Sequence, residues 1–367
     1  MTKLLESPKD LFARLSKSVI DQDTALEQIC VSLYKHLNHI RVGNILLIGN
    51  SGTGKTTIMR NIEKMFADDE RLSRFTNTIR LNANVVADDQ TAKLESSIII
   101  NRLHQNATRI MGSDPSPERF KELMENGVVF LDEVDKIRAV VGDRPNARGI
   151  QAQEALLTLI EGELLELSLT QRSDDGELST HKITVDTSRI LFICGGAFEG
   201  LYDAVYRRVS SGEHRDKLIQ EYVVSDGQEN VEEKEYFSLN QYVRYEDMFE
   251  YGMTPQFLGR FDEIIVLNDL SVHALMRIFI EPKESVFRES QVYFQTLGID
   301  LQITKEAVQL LAERAHENHR IGARALRSVF KRIMRGIEFD PAGSYLVRDD
   351  SGSKRLMVTS ELVSRFA

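Results

Sequence analysis

One glycine-rich stretch constrains the fold of this chain more than any other feature. It reads Gly49-Asn50-Ser51-Gly52-Thr53-Gly54-Lys55-Thr56 and matches the pattern G-x-x-x-x-G-K-[ST]. The apolar run Asn44–Ile48 before it has the composition of a buried strand, and Ile58, Ile62 and Met65 after it recur at helical spacing. A strand, a glycine-rich loop and a helix in this order predict a loop that binds a nucleoside triphosphate (a P-loop).

Each residue type in the stretch has a chemical reason to be there. Glycines allow backbone N–H groups to close around phosphate oxygens, Lys55 brings a positive charge to the β- and γ-phosphates, and the Thr56 hydroxyl is placed to ligate magnesium. A glycine-rich turn that ends in Lys-Thr by chance is the alternative, and the strand and helix on either side argue against it. The residues expected to bind the nucleotide here are Gly52, Thr53, Gly54, Lys55, Thr56 and Thr57.

A second short pattern predicts hydrolysis as well as binding. The apolar residues Val128–Leu131 are followed directly by Asp132 and Glu133. At such a strand end Asp132 can hold magnesium, while Glu133 can polarise the water that attacks the γ-phosphate. An Asp-Glu pair alone is usually a solvated strand end, but its place after a buried strand and downstream of a P-loop favours the catalytic interpretation.

The composition limits the classes of protein to consider. The 367 residues are 42% hydrophobic with only 7 Pro, which is enough to bury a large core and to form two domains. No apolar run approaches the roughly 20 residues that cross a bilayer, and the N-terminus lacks the apolar core of a signal peptide, so we expect a cytoplasmic protein. Two cysteines, Cys30 and Cys194, are too few for a zinc cluster. The net charge of −10 disfavours nucleic acid as a partner and favours proteins.

The order of the predicted elements indicates an α/β fold of the P-loop type. Apolar periodicity predicts helices between Ser7 and Arg41, before the P-loop. Strands are predicted at Asn44–Ile48, Thr78–Leu81, Val128–Leu131, Arg189–Cys194 and Glu263–Leu267, with helical patterns between them. Strands that alternate with helices are typical of a parallel sheet with helices on both faces.

Loops and a hinge divide this pattern. Solvated polar loops are predicted at 112–117, 138–149, 171–180 and 210–235. A hinge at 268–271, with Ser271 as a helix cap, separates a large nucleotide-binding domain, residues 1–267, from a smaller, mainly helical α+β lid domain, residues 268–367. In the lid, an apolar stripe runs along a helix over 323–337, and a hairpin is predicted with strands at 345–347 and 355–358.

Four further segments resemble the ClpX unfoldases, which are ring-forming AAA+ ATPases. Val19-Ile20-Asp21-Gln22 resembles the adenine-side motif V-I-G-Q of that family, with aspartate in place of glycine. Residues 189–198 are similar to its sensor-1 strand, residues 251–261 to the segment with its arginine finger, and residues 322–328 to its sensor-2 helix. The likeness extends from about Ser7 to Asp340, with the motifs in the order of the family.

The resemblance implies roles for single residues. Val19 and Ile20 would contact the adenine, and Arg260 would reach the γ-phosphate of a neighbouring subunit as an arginine finger. Arg324, at the start of a lid helix, would reach the γ-phosphate of its own subunit and couple the nucleotide state to the angle between the domains. Without the resemblance, both arginines would be interpreted as ordinary surface residues. The resemblance also implies ATP and Mg²⁺ as cofactors and a homo-oligomeric ring, a hexamer.

Departures from the family concern the handling of substrates. We expect no N-terminal zinc-binding module. The stretch Asn84–Ala87, matched to the pore loop of the family, has neither the aromatic residue nor the glycines of that loop. The pore-entrance segment 171–182 is acidic or mixed rather than basic, and residues 206–251 contain no Ile-Gly-Phe or similar apolar tripeptide for docking to a barrel-shaped protease. We therefore expect a weak grip on substrates and no ClpP-type protease as a partner.

Together these observations predict a ClpX-like AAA+ ATPase that couples ATP hydrolysis to the remodelling or unfolding of protein partners. The alternative is an ATP-dependent assembly or regulatory scaffold ring that does not thread substrates, and Val85 and Val86 favour it. A DNA-directed motor is disfavoured by the acidic charge.

Overall fold

The computed structural model of the protein describes most of the chain. The described residues are 7–40, 43–87, 97–112, 116–142, 144–172, 178–211, 219–224, 231–236, 239–317, 322–341, 346–348 and 354–366. The chain divides into two compact units, each assembled from separate stretches of sequence. The first unit comprises Met1–Arg14, Thr24–Ile48 and Met59–Val266, and the second comprises Leu15–Asp23, Gly49–Ile58 and Leu267–Ala367. The domain boundary after residue 267 stays a prediction.

Helices and strands alternate along most of the described sequence. The helices are α1 (Pro8–Leu15), α2 (Asp23–Leu37), α3 (Lys55–Ala67), α4 (Ala83–Ala87), α5 (Ile98–Met111), α6 (Pro117–Glu125), α7 (Ala147–Glu161), α8 (Leu201–Ser211), α9 (Leu239–Tyr242), α10 (Tyr245–Tyr251), α11 (Pro255–Leu258), α12 (Val272–Ile280), α13 (Val286–Thr296), α14 (Lys305–His316), α15 (Ala323–Phe339) and α16 (Ser360–Phe366). The strands are β1 (Asn44–Ile48), β2 (Thr78–Asn82), β3 (Val128–Asp132), β4 (Val140–Val141), β5 (Arg144–Pro145), β6 (Leu164–Arg172), β7 (Leu178–Asp186), β8 (Leu191–Gly196), β9 (Ile219–Val224), β10 (Val231–Tyr236), β11 (Phe261–Val266), β12 (Ile299–Ile303), β13 (Leu346–Arg348) and β14 (Lys354–Val358). Within the described residues, none of the helices is long and apolar enough to span a membrane.

A parallel sheet in the order β11-β1-β8-β3-β2 forms the centre of the first unit. Its register pairs Leu46 of β1 with Cys194 of β8, and Cys194 in turn with Leu131 of β3. Strands β1, β3 and β8 are almost fully buried and consist mainly of apolar residues, as expected for strands that are covered on both faces. The predicted fold class, a P-loop α/β sheet with helices, is confirmed.

The second unit has a core of its own, built around aromatic rings. Phe279 on α12, Phe294 on α13 and Phe330 on α15 are buried, and the rings of Phe279 and Phe330 meet edge to face with their centres 5.0 Å apart. The apolar stripe predicted on α15 belongs to this core. Ser271 caps α12 as predicted, since its Oγ accepts a hydrogen bond from Ala274 N at 3.1 Å. The predicted hairpin is confirmed as β13 and β14, and β12 pairs in parallel with β14.

Three segments predicted as solvated loops contain strands, so those predictions are wrong in part. Within 138–149, β4 pairs with β5 and α7 begins. Residues 171–172 and 178–180 extend β6 and β7, which pair antiparallel. Within 210–235, β9 pairs with β10. The prediction for β6 and β7 gave weight to charge, but Leu167, Leu169 and Ile183 are buried between exposed neighbours, which is the period-two pattern of a strand with one covered face.

The stretch Asn84–Ala87, predicted as a pore loop, is helical and forms most of α4. The helix begins where Asn82 Oδ1 accepts a hydrogen bond from Asn84 N at 2.9 Å. Val86 is 5% exposed and belongs to the core of the first unit, whereas Val85 is 36% exposed. The loop prediction is wrong for this stretch, because core packing turns Val86 inward. The residues that follow, 88–96, lie outside the described part of the chain.

A buried histidine ties the stability of the first unit to pH. His36 on α2 is 5% exposed, its Nε2 lies 3.4 Å from Asn126 O, and its ring meets the Phe75 ring edge to face. Removal from water lowers the pKa of His36 from 6.5 to about 4. The folded state therefore favours the neutral ring.

Between these two pKa values the unfolded chain binds a proton at His36 that the folded chain does not bind. The free energy of unfolding should therefore fall as the pH drops from 6.5 towards 4, by up to about 3 kcal/mol. Chemical denaturation at several pH values measures this change. His36→Gln replaces the ring N–H donor with an amide donor that does not titrate, so the stability of this variant should fall less over the same window. An equal fall in both proteins would assign the effect to other groups.

Candidate functional site

The P-loop follows β1 directly and leads into α3, so the predicted order of strand, loop and helix is observed. Gly52 and Gly54 have φ of 80° and 114°, in the left-handed region that favours glycine. A Cβ placed on Gly54 would meet nothing within 4 Å, whereas one on Gly49 would lie 2.8 Å from Thr53 Oγ1. The loop is therefore packed at its start and open at Gly54, where a phosphate group has room to approach the backbone.

Lys55 lies inside the loop and is 8% exposed. Its Nζ donates hydrogen bonds to the carbonyl oxygens of Gly49 and Asn50, the second at 3.0 Å. Phosphate oxygens carry more negative charge than carbonyl oxygens, so they can take over this ammonium group without a large movement of the side chain. Thr56 and Thr57 follow on the first turn of α3, with Thr56 half-buried and Thr57 exposed.

Gln22, the last residue of the adenine-side motif, is a buried link to the P-loop. Its Nε2 donates to Thr53 O at 3.1 Å and to Asn268 O at 2.8 Å, and its Oε1 accepts from Asn268 N at 2.9 Å. Gln22 is fully buried, so the loss of its hydrogen bonds would leave polar groups unpaired away from water. No role is predicted for Gln22 from the sequence, although its place in the motif is a signal that could have indicated one.

The residue before Gln22 has a left-handed backbone. Asp21 has φ 63°, at the position where the resembling motif carries glycine. Aspartate tolerates this conformation better than most residues, and its Oδ2 accepts a hydrogen bond from Ser271 Oγ at 3.2 Å. Val19 and Ile20 are both buried. Their contact with adenine stays a prediction.

Arg324 lies beside the P-loop, on the first turn of α15. Its Nη1 donates to Ser51 Oγ at 2.9 Å, and the neighbouring Ala323 N donates to Gly52 O at 3.3 Å. Gly322 has φ 53°, and a Cβ on it would lie 2.8 Å from Ser51 O. The start of α15 thus contacts the P-loop backbone so closely that a side chain at residue 322 would not fit. The role of Arg324 as a γ-phosphate sensor stays a prediction.

In the first unit, β3 ends at Asp132, and Glu133 follows with φ 59°. Glu133 N donates to Asp132 Oδ1 at 2.9 Å, and Glu133 Oε2 accepts from Asn82 Nδ2 at 2.6 Å. Asn82 is the last residue of β2 and stands opposite Asp132 in the parallel register. Asn82 was not predicted as a site residue, and its signal in the sequence is only that of a polar residue at the end of a predicted strand.

Arg260 lies near the amino ends of the parallel strands, whereas Glu133 follows the carboxyl end of β3. Arg260 precedes Phe261, which pairs with Asn44 at the start of β1, and Asn44 Nδ2 donates to Arg260 O at 3.2 Å. Across the register of β11, β1, β8 and β3, Arg260 stands about five residues before Glu133, which is roughly 16 Å along the strands. The guanidinium of Arg260 pairs with Glu161, and its side chain is 48% exposed.

The predicted site residues fall into two groups. The P-loop and Arg324 belong to the second unit, and Asp132, Glu133 and Arg260 belong to the first. Within the described residues, no group of three or more His, Cys, Asp or Glu side chains could hold a metal ion by itself. The Thr56 hydroxyl and the Asp132 carboxylate are oxygen donors of the kind that Mg²⁺ prefers, and Mg²⁺ commonly takes other ligands from phosphate and water. Each of the two oxygen donors fits a ligand of a nucleotide-bound magnesium ion, and their joint role stays a prediction.

Comparison with known proteins agrees with this chemistry. A sequence model of the family described as AAA domain (Cdc48 subfamily) matches residues 40–264. The ATP-dependent Clp protease ATP-binding subunit ClpX 3 of Methylococcus capsulatus is 30% identical over 356 residues, which cover 91% of this chain and 76% of that protein. ClpX of Bacteroides fragilis is 30% identical over 353 residues, with coverage of 92% and 78%. ClpX of Treponema denticola is 28% identical over 375 residues, with coverage of 98% and 81%.

The contact between α15 and the P-loop can be tested at Gly322. Gly322→Ala forces a side chain towards Ser51 O in a left-handed backbone, so the P-loop should shift and its affinity for an ATP analogue should fall by about 10-fold or more. Binding of a fluorescent ATP analogue measures this. Gly336→Ala is the matched control, because it lies on the same helix and its Cβ would meet nothing within 4 Å. Equal affinities of the two variants would contradict the assigned contact.

Proposed function

The chain belongs to the family of AAA domains of the Cdc48 subfamily and is a ClpX-like AAA+ ATPase, and from this premise we propose that it couples ATP hydrolysis to the remodelling or unfolding of protein partners. The observation that carries the proposal is the separation of Arg260 from Glu133, which lie at opposite ends of the strands of one sheet. A protomer with its finger and its catalytic carboxylate so far apart needs a neighbour to complete each site. Sites shared between subunits are the basis of ring ATPases that act on other proteins.

We infer that each active site combines residues of two protomers. Lys55 and the loop N–H groups bind the β- and γ-phosphates, and Glu133 polarises the attacking water. Arg260 of the neighbour approaches the γ-phosphate and stabilises the charge that develops on its oxygens. Magnesium, held through Thr56 and Asp132, would neutralise charge on the phosphates. In the sequence the P-loop follows β1 directly, and Asp132 and Glu133 stand at the carboxyl end of β3.

The proposed assembly is a homo-oligomeric ring, a hexamer in line with the ClpX resemblance. The relatives are described as ATP-binding subunits of Clp protease, and we propose that this chain works without a ClpP-type protease. The support is in the sequence, because residues 206–251 contain no Ile-Gly-Phe tripeptide and no other glycine between two apolar residues. Part of this segment pairs as β9 and β10.

Mixed assemblies test the shared site. Glu133→Gln and Arg260→Ala should each lower ATP hydrolysis by about 1000-fold, since one removes the group that polarises water and the other removes the finger. Rings assembled from both variants should recover activity at interfaces that pair an intact Arg260 with an intact Glu133. The rate of phosphate release, measured after co-assembly is demonstrated, reports this recovery.

A control variant separates the finger from general effects of removing an arginine. Arg327→Ala removes an exposed arginine of α15 that pairs with Glu289, and it should leave hydrolysis nearly unchanged. If co-assembled Glu133→Gln and Arg260→Ala proteins showed no recovery, the finger would not act between protomers.

A specific observation favours the second candidate function, a scaffold ring that does not thread substrates. Val86 is a core residue of α4 and cannot contact a passing chain. The sequence from Asn84 to Ser96 contains neither an aromatic residue nor a glycine. Small side chains bury less area against a translocating chain than an aromatic ring does, so each contact withstands less force.

A pair of reporters distinguishes the two functions. The protein should fail to unfold a stable tagged domain while it hydrolyses ATP, but it should act on a destabilised variant of the same domain. Loss of reporter fluorescence in single-turnover reactions measures both. ATP-dependent unfolding of the stable reporter would show a strong grip and would remove the scaffold alternative. No action on either reporter would favour the scaffold.

A further inference from the structure

A buried glutamine on α7 connects the catalytic strand to the segment that carries Arg260. Gln153 is 1% exposed. Its Nε2 donates to Ile137 O at 2.8 Å and to Gly252 O at 3.2 Å. Its Oε1 accepts hydrogen bonds from Thr254 N at 2.8 Å and from Thr254 Oγ1 at 2.9 Å. The whole amide is thus used to join two segments that are distant in sequence.

The first of these segments is the turn directly after Glu133. Residues Val134–Lys136 form a 3₁₀ turn that ends at Ile137. The turn is firmly held, because Val134 and Ile137 are buried in the core and Asp135 Oδ1 accepts a hydrogen bond from Ala197 N at 3.2 Å. It therefore provides a fixed support next to the catalytic carboxylate.

The second segment, Thr254–Arg260, which we call the finger segment, depends more on outside support. It consists of the short helix α11 followed by Gly259 and Arg260. It is entered through Gly252, whose φ is 108° and whose carbonyl accepts hydrogen bonds from Gln153 and from Ala139 N. A helix of four residues has little stability of its own. Phe257 and Leu258 anchor it in the core of the first unit, and the hydrogen bonds of Gln153 fix its first residue, Thr254.

Helix α7 also contacts the other end of the finger segment. Glu161, the last residue of α7, pairs with the Arg260 guanidinium. The pair is half-exposed on both sides, so it adds little stability by itself. It leaves Arg260 free to exchange Glu161 for a stronger anion, whereas the buried bonds of Gln153 are not exchanged.

We propose that Gln153 is a positioning residue for ATP hydrolysis: it holds the finger segment on the turn that follows Glu133, and so sets where a protomer presents Arg260 to its neighbour. The inference rests on the proposed function, in which Arg260 acts between protomers. A glutamine that only stabilises the fold would instead affect every activity of the protomer equally. The two roles predict different effects in a mixed ring. They differ in which protomer's Gln153 must be changed for the recovered ATPase rate to fall.

The experiment uses the mixed assembly of Glu133→Gln and Arg260→Ala proteins, in which only the Glu133→Gln protomer donates a working finger. Gln153→Met, which removes the amide at similar volume, is added to one protomer at a time. In the finger donor it should lower the recovered ATPase rate by about 100-fold, since a small misplacement of a catalytic group has effects of this size. In the Arg260→Ala protomer, which has no finger to position, it should leave the recovered rate nearly unchanged.

Three controls accompany this comparison. Gln151→Met changes an exposed glutamine on the same helix and should have no effect in either protomer. Thr254→Val removes one hydroxyl donor of the clamp, and in the finger donor it should give a smaller loss than Gln153→Met. The affinity of Gln153→Met for a fluorescent ATP analogue should equal that of the unchanged protein.

The outcomes are distinct. Equal loss in both protomers, or loss of nucleotide affinity, would make Gln153 a structural residue and overturn the inference. No loss in the finger donor would also overturn it. If the parent mixture shows no recovery although the two proteins co-assemble, the finger between protomers is absent, and the inference falls with the proposed function.

Discussion

The parallel register of the central sheet is the constraint on which the rest of this structure depends. Because β1, β8, β3 and β2 run in the same direction, the residues at their carboxyl ends all lie on the same side of the sheet, beyond the ends of the strands. Asp132 and Asn82 stand opposite each other for this reason, and Glu133 follows at once. The same register places Arg260, which precedes β11, at the amino ends of the strands. The parallel register thus separates Glu133, the proposed catalytic carboxylate, from Arg260, the proposed arginine finger.

Local patterns were sufficient to predict the fold class and most of the candidate site. The P-loop is contiguous, and its strand and helix follow from apolar spacing within a few residues on either side. Residues that act through long-range contacts gave no such signal. Gln153 stands between Gln151 and Glu154 on a helix and reads as solvated, yet it is buried because Ile137 and Thr254 lie against that face. Asn82 likewise gave no signal in the sequence, because its place opposite Asp132 is known only once β2 is paired with β3.

The wrong predictions have a related cause. The segments at 171–180 and 210–235 are polar, and polarity was interpreted as a loop, although strands with one exposed face also carry a polar residue at every second position. Asn84–Ala87 was aligned with a loop by resemblance alone, and the core contact of Val86 decided otherwise. Charge and resemblance describe what a segment can do in solvent. Whether these segments form a helix, a strand or a loop depends on the apolar residues that tertiary contacts bury.

Because Arg260 and Glu133 lie at opposite ends of the strands, a rigid connection between their segments matters in the proposed ring. The finger segment ends at β11 and is held there by the sheet, whereas its start lies outside the sheet and is held by Gln153. Helix α7 lies against this segment at Gln153 and ends beside Arg260 at Glu161. If Gln153 ties the finger to the turn after Glu133, the two segments keep their relative position and move together within the protomer. Communication between adjacent sites would then require neither a pore nor a bound substrate, so it would serve a scaffold ring as well as an unfoldase.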